Sequence, residues 1–411
     1  MKKKQPVHNP RQTAFKVTMA TLHENQDVQA ALNTALEKNA GEEQEKKLIT
    51  ELVYGYLRYK GRIDFLLGLF LKQPQKLPPG LFILLGLAAY EILFLRIPHH
   101  ASVSEAVKQT KRFFGPKLAH LTNAVLRRVC DLPARGEKKE LYIQDSPEET
   151  VFFSRYFSCP LWIVKYLGCN FSAPQVEMFL SAFLQQPPTG IRIHAQKCPQ
   201  HDPQAFATLA SQIQAEEQGL VSRQSLAVQG TINHLEPRSW PQPIWDACAG
   251  RGGKSFFLAE QQMQVLASDR NKKRLYGLKA EQQRLGLYFP VFLADAGMPC
   301  LKNAPATILL DVPCSGLGVL SRRPDTKWKR KKTDLAGLQA IQSRLLQASA
   351  NLLPKGGNLI YMTCTLGREE NSGQIEALLR QKPFLRLADE YQTPPTSDLY
   401  EFFYAARLHR M

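Results

Sequence analysis

Two cysteines in this chain are placed for chemistry. Cys314 stands in Asp311-Val-Pro-Cys-Ser-Gly316, directly after the apolar run 306–310, and Cys364 closes the run Leu359–Cys364. Both runs read as strands buried on two faces, as in parallel sheets. A thiol becomes a nucleophile once deprotonated, and a covalent intermediate splits one difficult step into two easier ones. Side chains at the carboxyl ends of neighbouring parallel strands lie where open α/β sheets hold their ligands. Four strands in this region, the first of these two runs among them, end in an acid, at Asp246, Asp269, Asp295 and Asp311. In a parallel sheet these carboxylates would line one edge together with the two thiols.

The segment after the first of these strands is Cys248-Ala-Gly-Arg-Gly-Gly-Lys254-Ser255. Its glycines let backbone approach a ligand closely and open a helix whose N-terminus favours an anionic group. Asp269 ends the next strand, about 20 residues on, where an acid commonly receives ribose hydroxyls. The pattern therefore predicts a nucleoside ligand. A phosphate-binding P-loop is disfavoured because Cys248 occupies its first glycine position, and the dinucleotide pattern of three spaced glycines is absent. A nucleoside beside two thiols suits S-adenosyl-L-methionine and a methyl acceptor that needs covalent activation.

Around this constellation the chain alternates. Strands are expected at Ile244–Asp246, Val265–Asp269, Val291–Asp295 and Ile308–Asp311. Helices are expected from Ser255, over 271–285, over 334–353 and over 369–381. Such alternation predicts a parallel doubly wound sheet. Residues 12–130 instead carry apolar positions at helical spacing, for example Leu118, Leu121, Val125 and Val129, and read as all-α. Ser102 and Glu105 have the spacing of a capping box, Pro116 suits a first helical turn, and Arg127 and Arg128 suit a last turn. The domains expected are a helical one over 1–135, a linker and extension over 136–235, and a Rossmann-like catalytic one over 236–411.

Composition limits the partners. The chain has 411 residues and a formal net charge of +17. Residues 1–130 carry 20 Lys and Arg against 10 Asp and Glu, or +10. This favours an anionic partner such as nucleic acid. Residues 321–332 hold seven basic residues and one acid around Trp328. Phosphate contacts and a stacking aromatic suit RNA, so Arg322, Arg323, Lys327, Trp328, Lys329 and Arg330 are expected RNA contacts. Eight cysteines without a CxxC pair argue against zinc and disulfides, and no metal is expected. The run Leu81–Leu95 is too short for a membrane span and reads as a buried helix. The basic N-terminus has no apolar segment of a secretory signal. A cytoplasmic monomer with no membrane association is expected.

Taken together, the segments 246–255, 311–316, Arg322-Arg-Pro-Asp-Thr-Lys-Trp328, 361–365, Glu369-Glu-Asn371 and 398–408 resemble the motifs of the NOL1/NOP2/Sun family of RNA cytosine-C5 methyltransferases. Arg96-Ile-Pro-His-His-Ala101 and Asn123-Ala-Val-Leu-Arg-Arg128 resemble a NusB-like RNA-binding domain. That pairing is similar to the branch acting on bacterial small-subunit ribosomal RNA. The resemblance implies methylation of cytosine carbon 5 with S-adenosyl-L-methionine as donor, the substrate being ribosomal RNA or an assembly intermediate. It assigns the nucleophile to Cys364 and release of the product to Cys314. It places the cofactor at Cys248, Ala249, Gly250, Arg251, Gly252, Gly253, Lys254, Asp269, Asp295 and Asp311, with Asp269 at the ribose and Asp295 on the adenine side. The family has Ala-Pro where this chain has Gly250-Arg251, and an acid where it has Ser225. The competing readings are a non-catalytic RNA-binding or ribosome-assembly protein with a vestigial pocket, and a DNA methyltransferase.

Overall fold

The computed structural model describes residues 9–38, 42–143, 146, 148–198, 209–299 and 301–411. It divides into two units. The first comprises residues up to Gln185 together with Leu320–Arg330, and the second comprises Gln186–Val319 and Lys331–Met411.

The first unit is helical: α1 (Pro10–Leu22), α2 (Val28–Glu37), α3 (Glu43–Gly68), α4 (Pro79–Phe94), α5 (His99–Phe114), α6 (Pro116–Cys130), α7 (Glu149–Tyr156), α8 (Leu161–Asn170) and α9 (Ala173–Ala182). The apolar run expected as a buried helix is α4, and it is buried on nearly every side, which is why its sequence shows no polar face. Its one acid, Glu91, is 2% exposed and is neutralised by Arg11, whose Nε donates at 2.8 Å. Helices α3 and α4 approach closely at two glycines. A side chain at Gly55 would occupy the ring of Tyr90, and one at Gly86 the ring of Tyr56. Pro116 opens α6 and Arg127 and Arg128 lie in its last turn, as the sequence predicts. The capping box is not formed. The helix starts earlier, at His99, and Ser102 is buried inside it, donating to Glu91.

The unit extends past the expected boundary at residue 135. Phe152 and Tyr156 of α7 pack against the same core as α3 and α4. So does Trp328, from α14 (Thr326–Lys329).

The second unit contains a seven-stranded sheet. Its strands are β3 (Ile244–Asp246), β4 (Val265–Asp269), β5 (Val291–Leu293), β6 (Thr307–Asp311), β7 (Asn358–Thr363), β8 (Leu385–Gln392) and β9 (Tyr404–Arg410), in the order β5-β4-β3-β6-β7-β9-β8. From β5 through β4, β3 and β6 to β7 neighbouring strands pair in parallel, and β9 runs antiparallel between β7 and β8. A separate antiparallel pair, β1 (Ile191–Ile193) and β2 (Val221–Arg223), with α10 (Leu209–Glu217) between them in the chain, precedes it. The central strands are apolar on both faces. Trp245, Ile308, Leu310, Leu359 and Tyr361 enter one core with Leu345 and Leu346 of α15 (Asp334–Leu352) and Ile375 of α16 (Ser372–Gln381). Ile244, Leu309, Ile360 and Met362 enter the other. That core also holds Ile232 of α11 (Leu226–His234) and Phe257 and Leu258 of α12 (Gly253–Glu260). This is the doubly wound Rossmann-like arrangement expected, with its order reversing between β3 and β6.

Candidate active site

Register decides how the acids are presented. Asp246 lies opposite Ala267 and Leu309, so Asp269 and Asp311 stand two residues further along their strands. Two residues are about 7 Å of strand. The expected row of carboxylates is therefore staggered, with Asp246 recessed and 0% exposed. It accepts from Ser255 Oγ at 2.6 Å, while its Oδ1 has no protein partner. Burial pushes its pKa up to about 7. Asp246 thus braces the first turn of α12 from beneath.

The loop above it turns through Gly250 and Gly252, both at positive φ, +60° and +85°. A Cβ at Gly252 would strike Phe256 and Leu278, whereas one at Gly250 meets nothing, so the loop is open on that side. Gly250 N–H donates to Asp269 Oδ2 at 2.9 Å, and Asn271 N–H to Oδ1 at 2.7 Å. Each carboxylate oxygen has a second lone pair, so ribose hydroxyls remain acceptable partners. Asp295 lies beyond the end of β5, where Gly297 N–H and Arg344 hold it and lower its pKa. Ala249 is half-buried, as is Cys248, whose thiol burial keeps neutral. Arg251 is exposed and lays its stem along Gly277 of α13 (Lys272–Leu285).

The α12 start is also held from the side. Arg192 of β1, 7% exposed, donates to Glu260, to Gln224 Oε1 at 2.8 Å and to the Gly253 carbonyl at 3.1 Å. Gln224 Nε2 reaches the same carbonyl at 3.0 Å. Ser225, the residue standing in place of an acid, donates to Glu401 at 2.7 Å, where a second carboxylate would repel. Nothing in the sequence marks Arg192 except its place in an otherwise apolar strand.

The two thiols meet. Cys314 Sγ lies 3.3 Å from Cys364 Sγ, far beyond a disulfide bond, and also 3.3 Å from the Cys364 backbone N–H. The hydrogen bond with Cys364, followed by burial, raises the Cys314 pKa strongly. Two thiols at this distance do not both ionise. Lys254, from the first turn of α12, forms an ion pair with Asp311. Burial works against its ammonium, but Asp311 first, with Asp246 and Cys364, sustains the charge and raises its pKa. The Lys254 ammonium thus acts electrostatically on Cys364.

The Cys314 loop rests on a buried carboxylate, Glu370, and the Cys364 loop on the adjacent Asn371. Glu370, 0% exposed, accepts from Ser315 N–H and Gln342 Nε2 at 2.9 Å each, and from the Ser315 hydroxyl. Asn371 donates to the Thr365 carbonyl at 3.1 Å and accepts from Thr363 Oγ1 at 2.6 Å. Gly318 lies where a side chain would strike the Phe402 and Cys364 carbonyls. The Glu369–Asn371 motif is legible in the sequence, but its bracing role is not.

The basic segment departs from expectation. Lys327 is 1% exposed, and its Nζ donates at 2.8 Å to both the Arg58 and Ser158 carbonyls. Trp328 Nε1 donates to the Leu57 carbonyl at 2.7 Å. Lys327 is thus committed to the helical core and leaves no face for RNA, while Trp328, half-buried, is tied to that core by its indole N–H. Arg323 is exposed, 3.6 Å from Asp27, and Lys329 pairs with Asp325 at 2.9 Å. Arg322 and Arg330 are half-buried. Among the described residues no group of three or more His, Cys, Asp or Glu is arranged to hold a metal ion, and no helix is long and apolar enough to cross a membrane.

Comparison with known proteins agrees with this geometry. Residues 232–402 match the model of the 16S rRNA methyltransferase RsmB/F family, and residues 8–131 that of the NusB family. The chain is 30% identical to a ribosomal RNA small subunit methyltransferase B of Yersinia pestis, covering 97% of this chain and 98% of that one. It is also 30% identical to a probable ribosomal RNA small subunit methyltransferase B of Synechocystis, covering 93% of each. Among solved structures, PH0851 superposes with a TM-score of 0.78 at 20% identity over 99% of this chain and 100% of that one. A methyltransferase homolog protein from Pyrococcus horikoshii does so with 0.53 at 19% identity over 65% and 100%. These two bear on the fold alone. A methyltransferase of this fold takes S-adenosyl-L-methionine as its methyl donor, and the open glycine loop with Asp269 fits it. The chain belongs to the family of ribosomal RNA small subunit methyltransferase B.

Proposed function

We propose that this protein methylates carbon 5 of a cytosine in small-subunit ribosomal RNA through a covalent cysteine–cytosine intermediate. The observation that carries the reading is the pair of thiols 3.3 Å apart, with the Lys254 charge acting on Cys364. Carbon 5 of cytosine is a poor nucleophile. Addition of the Cys364 thiolate to carbon 6 forms a carbon–sulfur bond and gives carbon 5 enamine character. Residues 248–254 with Asp269 and Asp295 would hold S-adenosyl-L-methionine, which when bound would supply the methyl group to carbon 5 and leave as S-adenosyl-L-homocysteine. Lys254, oriented by its ion pair with Asp311, faces the pyrimidine and offers its cation to the negative charge that develops there on addition. Product release removes the proton from carbon 5 and breaks the carbon–sulfur bond. For this step Cys314 loses its thiol proton to water and takes the carbon-5 proton, while the carbon–sulfur electron pair leaves on Cys364 as thiolate; until then its hydrogen bond with Cys364 and burial keep the Cys314 thiol neutral. The target base must leave any stack to reach the thiols. The helical unit anchors the RNA, the protein acts as a monomer, and its place is the cytoplasm, where bacterial ribosomal RNA is modified.

The two thiols are separated by single substitutions. Cys364→Ala should abolish methyl transfer and covalent attachment. Cys314→Ala should still add and methylate but stall at elimination, leaving enzyme on methylated RNA that survives denaturing electrophoresis. Trapping by Cys364→Ala instead would make Cys314 the nucleophile. Full activity of both variants would remove covalent catalysis and revive a purely RNA-binding role.

A further inference from the structure

A groove of about 750 Å3 runs between α5 and α6 in the helical unit. Volumes of this order belong to ligand clefts. One wall is a stripe of α5, from His99 and His100 through Ser104 and Lys108 to Lys111, and the other a stripe of α6 that includes His120, Asn123 and Arg127. The α5 stripe extends about 18 Å. Val103 and Ala119, 9% and 6% exposed, form an apolar floor.

No carboxylate lines this groove. The one acid within residues 99–130, Glu105, accepts from Asn9 and from Gln109. It also lies 3.9 Å from Lys108, but an exposed ion pair of this kind is weak and readily exchanged. Lys108, Lys111 and Arg127 are exposed and spread along the groove instead of converging on one point. That distribution suits a chain of phosphates, not a single anion. The imidazoles of His100 and His120, both exposed, offer flat faces on which bases stack, and Ser104 and Asn123 offer hydrogen bonds to base edges.

We propose that the α5–α6 groove is a binding site for single-stranded RNA, with phosphates on Lys108, Lys111 and Arg127 and bases over the apolar floor between the histidines. The inference rests on the RNA-methyltransferase reading above and adds where the substrate is gripped outside the thiol site. An acidic protein segment would meet the cations but leave the histidine faces and the base-sized floor without a matching group.

The test uses the full chain and a triple variant, Lys108→Gln/Lys111→Gln/Arg127→Gln, whose positions are exposed and whose helix propensity is kept. The probe is a single-stranded RNA oligonucleotide of about a dozen residues, followed by fluorescence anisotropy from ~50 to ~200 mM salt. Losing three phosphate contacts should flatten the slope of log affinity against log salt by roughly two. The RNA KM should rise, while kcat at saturating RNA and the affinity for S-adenosyl-L-methionine stay at the parent's values. Thiouridine in the probe should photocrosslink to peptides from α5 or α6. A parent-like slope and KM, with crosslinks elsewhere, would overturn the proposal. Displacement of RNA by polyglutamate from the parent, with RNA affinity intact in the variant, would assign the groove to an acidic partner and overturn it too. A parent that binds no RNA would overturn both this inference and the function it rests on.

Discussion

Arg192→Ala removes a cation that is 7% exposed from a carboxylate, Glu260, that is 4% exposed. The pair is bidentate, Nε to Oε2 at 2.5 Å and Nη2 to Oε1 at 3.1 Å, and the remaining guanidinium N–H reaches Gln224 and the Gly253 carbonyl. The Gly253 carbonyl keeps Gln224 Nε2 as a partner, so the main loss is the buried charge of Glu260 left alone. Breaking a buried pair from one side costs about 3–5 kcal/mol. That is a large part of the ~5–15 kcal/mol that holds a domain folded. The variant should fold but unfold at clearly lower denaturant. The start of α12, which presents Lys254, loses its side anchor, so cofactor affinity should fall about tenfold, equivalent to ~1.4 kcal/mol. Replacing both partners, Arg192→Met with Glu260→Met, should recover most of the stability, because the cost lies in the orphaned charge. Denaturant titration and calorimetry with S-adenosyl-L-methionine measure both quantities. A loss below ~1 kcal/mol in Arg192→Ala, or a double variant no better than the single one, would refute the argument.

Two other outcomes follow from buried charges. Glu370→Ala removes the acceptor of Ser315 N–H and of one Gln342 Nε2 hydrogen, the other keeping the Pro313 carbonyl, at about 1–3 kcal/mol for each lost partner, and should cut methyl transfer far more than cofactor binding. Glu370→Gln keeps an oxygen for those donors and should retain most activity; equal loss in both would mean that the carboxylate does more than brace. Burial lowers the Lys327 pKa from 10.5 to about 7. The folded state therefore binds fewer protons than the unfolded state between those values, and stability should rise with pH across that window by up to about 1.4 kcal/mol per unit. Below the folded value both states are protonated and the slope vanishes. Urea unfolding of the parent and of Lys327→Met, compared from pH 7 to 10, should diverge with this sign; parallel curves would show that the two carbonyl acceptors already hold the ammonium.

What the sequence determines here is local and periodic. The alternation of apolar strands with helices from 244 to 381, the acids and the cysteine at strand ends, and the helical pattern over 12–130 all follow from which face of an element is buried, and a face is written in the spacing of its own residues. The boundaries of β3, β4 and β7 and the start of α6 agree with those expectations to within a residue. Partners are not written there. The insertion of antiparallel β9 between β7 and β8 is a choice among sheet edges. The recess of Asp246 by two residues is a matter of register. Lys327 and Trp328 lie in a run of cations that reads as an exposed RNA surface, yet they satisfy carbonyls of α3 and of the turn after α7 and become part of a core. Long amphipathic side chains serve either purpose, and only the backbone that comes to meet them decides between the two. The same holds for Arg192 and Glu370, whose buried charges are tolerable only because partners distant in sequence close around them.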